Sequence, residues 1–80
     1  MSVETITPTV SWQQVSVVAC VSTITRRGDG YLIFNEAGSD ADALHLSPNV
    51  GDQIRQDETK PTWIKTTGTG WEVRVDRSGD

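Results

Sequence analysis

Pro61-Thr62-Trp63-Ile64-Lys65-Thr66-Thr67-Gly68-Thr69-Gly70-Trp71-Glu72-Val73-Arg74-Val75-Asp76 is the stretch that decides the fold. Two short runs rich in β-branched and aromatic residues flank a Thr/Gly segment, which is the pattern of a β-hairpin. In the second run Trp71, Val73 and Val75 share one face while Glu72, Arg74 and Asp76 share the other, because side chains alternate along a strand. One apolar and one charged face define a half-exposed strand of an antiparallel sheet. Trp63 falls in the partner strand, so the hairpin reading brings its indole toward Trp71 in one core cluster.

Upstream of this hairpin, turn signals recur between short strand-like runs. Gln53-Ile54-Arg55-Gln56 reads as a short edge strand ahead of the Asp57-to-Pro61 loop. Ala43-Leu44-His45-Leu46 reads as another, with the leucines inward and His45 outward. Tyr31-Leu32-Ile33-Phe34 is a continuous apolar run, the mark of a strand covered on both faces. The turn Arg26-Arg27-Gly28-Asp29-Gly30 precedes it, so the expectation is that it pairs with the strand before that turn. That strand is Trp12 to Thr25, where Val15, Val17, Ala19 and Val21 mark one face and Val18, Cys20 and Ile24 the other. Its length predicts a bend or break, placed near Gln13-Gln14. Residues 1–11 are Thr-rich and interrupted by Pro8, which predicts an extended arm or edge strand.

The expected fold is therefore all-β: a small antiparallel β-sandwich or barrel of about six strands with an extended N-terminal arm. Residues 1–11 form the arm and 12–80 a single domain. The expected core is Val17, Ile33, Trp63, Trp71, Val73 and Val75.

Length and composition limit what such a domain can be. At 80 residues and 35% hydrophobic content, the chain builds a small core, and proteins of this size often add disulfides, a metal or a partner subunit. Cys20 is the single cysteine, so an internal disulfide is excluded. One Cys and one His make a structural zinc site a poor fit. Oligomerisation is the device that remains. A net charge of −4 argues against a function built on phosphate contacts, which need clustered Lys and Arg. No apolar run approaches the roughly 20 residues needed to span a membrane as a helix, and the N-terminus lacks the features of a signal peptide. The expectation is a protein made in a cytoplasm, with no nucleic-acid or membrane partner.

Catalytic chemistry finds little support in the residues. Asp40, Asp42 and His45, with Glu36 nearby, come nearest to a metal constellation. A calcium loop supplies more carboxylates at regular spacing, so a solvated acidic loop is the preferred reading and no metal or other cofactor is expected. Cys20 lies in an apolar strand, where a thiol behaves as a small hydrophobe. Nucleophilic catalysis needs a base beside the nucleophile, and no motif supplies one. An enzyme is not expected. Trp12, Trp63 and Trp71 admit two readings, a sugar-stacking platform or core and interface residues; the phase of Trp71 with Val73 and Val75 favours the second.

The order of these features resembles a known group. Trp12 leads a Ser/Thr/Val-rich strand, followed by a Gly turn into Tyr31-Leu32-Ile33-Phe34-Asn35-Glu36-Ala37 and a Leu-x-Leu-x-Pro segment from Leu44 to Pro48. The chain closes on Trp63-Ile64-Lys65-Thr66 and a Gly turn into Trp71-Glu72-Val73-Arg74-Val75. Over residues 12 to 76 this is similar to small all-β virion proteins of tailed bacteriophages, including head decoration (cement) proteins and tail-protein modules. The resemblance implies a non-enzymatic head decoration or capsid-stabilising protein, bound to the outer shell of the virion after synthesis in the host cytoplasm. Its implied partners are itself, as a homo-oligomer with a trimer favoured, and the major capsid protein or other virion proteins. The N-terminal segment, through Val3, Ile6, Val10 and Trp12, is the expected subunit or capsid contact. The alternative is a small carbohydrate-binding β module, such as one belonging to a viral tail.

Overall fold

The computed structural model describes residues 2–40 and 43–78. They form eight strands and, among the described residues, no helix: β1 (Ser2–Ile6), β2 (Gln13–Ser16), β3 (Cys20–Arg26), β4 (Leu32–Asn35), β5 (Leu44–Leu46), β6 (Gln53–Gln56), β7 (Thr62–Thr66) and β8 (Glu72–Arg77). Two four-stranded sheets result, sheet A in the order β1-β8-β3-β6 and sheet B in the order β2-β7-β4-β5. Every pairing is antiparallel. The all-β expectation holds, but eight strands replace about six.

Two sequence features account for the extra strands. Residues 2–6 are no free arm: β1 pairs along its length with β8, from Ser2 opposite Arg77 to Ile6 opposite Val73. The long Trp12-to-Thr25 run divides after Ser16, later than the expected Gln13-Gln14. There the Ser16 hydroxyl donates to Val18 O at 2.8 Å and accepts from Val18 N–H at 3.1 Å. A serine that binds backbone two residues on offers the chain a turn in place of a ladder. β2 and β3 consequently enter different sheets, and Val17, expected in the core, stands at the bend with 58% of its surface exposed.

The two expected hairpins are both crossovers. β7 pairs with β2 and β4, and β8 with β1 and β3, so the Thr67–Gly70 turn carries the chain from one sheet to the other. The Arg27–Tyr31 turn does the same between β3 and β4. Among the described strands only β4 and β5 are consecutive and paired with each other. The two crossover turns are bonded side by side: Asp29 N–H donates to Thr69 O at 2.9 Å, Thr67 N–H to Tyr31 O at 3.0 Å, and Tyr31 N–H to Thr67 Oγ1 at 2.8 Å. Trp71 Nε1–H donates to Asp29 O at 2.8 Å. A Cβ on Gly28 would lie 2.5 Å from both Thr69 O and Trp71 Cδ1. The approach of the turns therefore requires glycine there.

One core lies between the sheets. Sheet A and the adjoining Trp71 contribute Ile6, Cys20, Ile24, Trp71, Val73 and Val75; sheet B contributes Val15, Leu32 and Ile64. Phe34 and Ile54 pack against its margin. Alternation explains the membership, since Val73 and Val75 face in while Arg74 between them is exposed. Trp63 is half-buried and lies outside this cluster, so the two indoles expected to meet are separated by the thickness of sheet B.

Candidate functional site

The run Leu32-Ile33-Phe34 is covered on both faces, as its composition predicts. Leu32 faces the core at 0% exposure, and Ile33, pointing the other way, is 1% exposed. Ile33 lies on the outer face of sheet B between its register partners Lys65 of β7 and His45 of β5. In the next row Asn35 lies opposite Trp63, and Trp63 opposite Gln14.

A strap formed by residues 36–40 crosses this face. Asn35 starts it: its Oδ1 accepts from Ala37 N–H at 3.2 Å and Gly38 N–H at 2.8 Å. Gly38 has φ 64° and lies against the Trp63 indole; a Cβ at this position would meet Trp63 Cδ2 at 2.8 Å. Glycine satisfies both demands, the left-handed backbone and the missing side chain. Asp40 ends the strap on the far side of the indole. Its Oδ1 accepts from Trp12 Nε1–H at 3.1 Å and also from the Lys65 ammonium. The Lys65 Nζ in turn lies 5.2 Å from the Trp12 ring centroid, within cation–π range. Ala43 N–H reaches back to Asp40 O at 3.4 Å on the way into β5.

The electrostatics favour the closed strap. The hydrogen bond from Lys65, helped by the Trp12 N–H and by the positive charge of Lys65, holds the Asp40 carboxyl below its ordinary value of 3.8. At the strap's start Glu36 pairs with Lys60, and that hydrogen bond raises the lysine above its ordinary value. Both pairs are solvent-facing, so their energetic value is modest. Tyr31 and His45, exposed at the other end of the face, meet edge to face at a centroid distance of 5.6 Å.

The residues expected at an interface scatter. Val3 is 54% exposed on the outer face of sheet A, and Val10 is 64% exposed in the β1–β2 connection. Ile6, by contrast, is 4% exposed inside the chain's own core, because its place opposite Val73 turns it inward. It is not available to a partner. Trp12 is half-buried and engaged with Asp40 and Lys65. Cys20 is buried with its thiol 3.9 Å from Thr62 Oγ1. Of Asp40, Asp42 and His45, weighed as a metal set, Asp42 lies outside the described residues, Asp40 is occupied by Lys65 and Trp12, and His45 meets Tyr31. Among the described residues no group of three His, Cys, Asp or Glu side chains is placed to hold an ion. No family model matches the chain, and neither curated proteins nor solved structures yield a significant match.

Sequence reading missed the strap because its anchors are 28 and 25 residues apart in the chain. One signal was present. Trp63 and Lys65 share the face of β7 opposite to Ile64, and a large indole facing away from the core needs cover of its own.

Proposed function

We propose that this chain is a non-enzymatic structural protein of a phage virion, a head decoration or capsid-stabilising β-sandwich that binds the outer shell as a homo-oligomer. The observation that carries the reading is the distribution of apolar surface. Val3, Val17 and Leu44, exposed at 54%, 58% and 67%, lie on or beside strand edges. Strand edges and apolar side chains are what β proteins use to bind one another. A net charge of −4 suits the outside of a shell, away from packaged nucleic acid. The resemblance of residues 12–76 to small all-β virion proteins points the same way.

The strap weighs against the carbohydrate-binding alternative. Sugar stacking needs an open indole face, and Gly38 covers one face of Trp63 while Lys65 sits over Trp12. Trp71 is in the core at 1% exposure. Mass spectrometry of purified virions tests the proposal: the chain is expected at a copy number in fixed proportion to the major capsid protein. Its absence from complete particles would overturn the reading.

A further inference from the structure

The inner face of sheet B ends at β5 with Leu44 exposed. Register sets Leu44 opposite Phe34 and Leu46 opposite Leu32, so both leucines lie on the core-bearing face. Yet Leu44 is 67% exposed, the highest value for any large apolar side chain among the described residues. The opposite flank is closed by Arg77, whose Nε–H donates to Val15 O at 2.7 Å and whose guanidinium pairs with Glu4 at 2.7 Å. Among the described residues no hydrogen bond or ion pair ties β5 to β6. Shallow clefts open on that side, with Phe34 and Ile54 in one and Leu46, Pro48 and Ile54 in another.

The four free edges differ in how they would meet a second copy. In two-fold pairing a strand runs antiparallel to itself, so a charge near its centre faces its own duplicate, and like charges in register repel. β1 has Glu4 at its centre, and β6 would set the charged Arg55 in the contact opposite Ile54 of the second copy. β2 shifts register between Gln14 and Ser16, and a bulge of this kind interrupts pairing. β5, Leu44-His45-Leu46, carries no Asp, Glu, Lys or Arg and no bulge. Its sequence is also symmetric about His45, so a two-fold axis there sets Leu44 against Leu46 of the second copy, and the reverse.

We propose that β5 is a self-association edge: two copies pair their β5 strands about a two-fold axis at His45, fusing the two B sheets and covering Leu44. This rests on the homo-oligomer part of the proposed function and moves the contact from the N-terminal segment to β5. Three residues per strand make a small interface, so the dimer is weak and depends on concentration.

Sedimentation velocity from roughly 10 µM to 1 mM spans the affinities of such contacts. The wild-type chain is expected to pass from monomer to dimer in that range. Leu44→Lys, at a site already exposed, is expected to weaken dimerisation at least tenfold, about 1.4 kcal/mol, with an unchanged thermal melt. Val3→Lys, on the opposite flank, is expected to dimerise as wild type. If Leu44→Lys dimerises normally, the β5 contact is wrong and the homo-oligomer survives. If the wild-type chain is monomeric throughout, both fall, while virion membership is still read from purified particles. If it is monomeric and Leu44→Lys loses co-sedimentation with capsids, the edge belongs to another protein, and self-pairing is overturned.

Discussion

Sheet A and sheet B share one core but present different outer faces. On sheet A the outward residues of β8 are Glu72, Arg74 and Asp76, flanked in register by Val3 and Thr5 of β1 and by Val21 and Thr23 of β3. Arg74 and Asp76 pair at 3.2 Å in solvent, and nothing larger than a valine needs shelter. On sheet B the corresponding layer holds Ile33, Trp63, Lys65 and His45, and a strap pinned to Lys65 through Asp40 lies against Trp63. The contrast is written in the strands themselves. From Glu72 to Asp76 β8 alternates between charged and apolar, whereas β4 runs Leu-Ile-Phe without a polar break. Alternation reports how many faces of a strand are covered, and here it does so strand by strand.

The largest effect is expected where the two sheets are joined. Trp71→Ala removes a buried indole from the shared core and deletes its hydrogen bond to Asp29 O. Truncations of this kind cost about 3–5 kcal/mol, a large part of the stability of a small domain. Denaturation followed by circular dichroism is expected to show a chain unfolded or nearly so. Melting within a few degrees of wild type would mean that the crossover turns hold without it. The next effect separates the sheets. Gly38→Ala places a Cβ against the Trp63 indole at a left-handed backbone position, a conformation that costs an L residue roughly 1–2 kcal/mol. A matching change on sheet A, Arg74→Ala, is exposed and is expected to stay within about 0.5 kcal/mol of wild type. Equal losses in the two variants would erase the distinction between the outer faces.

The presence of most strands is legible in the sequence, because β-branched runs and turn residues mark them. Their neighbours are not. Arg26 to Gly30 and Thr67 to Gly70 reverse the chain as hairpin turns would, but turn residues do not specify whether the return strand joins the same sheet or the facing one. What commits both to crossovers is their contact with each other, through Gly28 and Trp71, across more than forty residues. The break after Ser16 was obscured for a related reason. A serine hydroxyl competing for backbone groups leaves Val17 and Val18 looking like a continuing strand. The inward turn of Ile6 depends on pairing with β8, which residues 1–11 do not reveal. The strap's parts were visible singly, Trp12 and Trp63 as indoles of open role and Asp40 as a member of an acidic loop, and only the fold brings them together.

The smallest expected effect lies at Asp40 and is set by pH. Its folded pKa lies below the ordinary value of 3.8, so its contribution is complete above that value and is lost as pH falls below it. Acidification past that point is expected to loosen the strap before the core melts, as a change in indole fluorescence that precedes loss of the β-sheet signal. A single coincident transition would show that the strap is no separate unit.

The difference between the two outer faces is tested most directly by the Ile33 methyl signals in solution NMR with a soluble paramagnetic relaxation agent. The expected result is that Ile33 is as well protected as the core methyls of Val73 and Val75, while Val3 on sheet A is strongly broadened. In Asp40→Ala the broadening of the Trp63 indole protons is expected to rise and that of Val73 to stay unchanged. An Ile33 broadened like Val3 in the wild-type protein would contradict the covered face of sheet B, and a Trp63 indole unchanged in Asp40→Ala would contradict the strap.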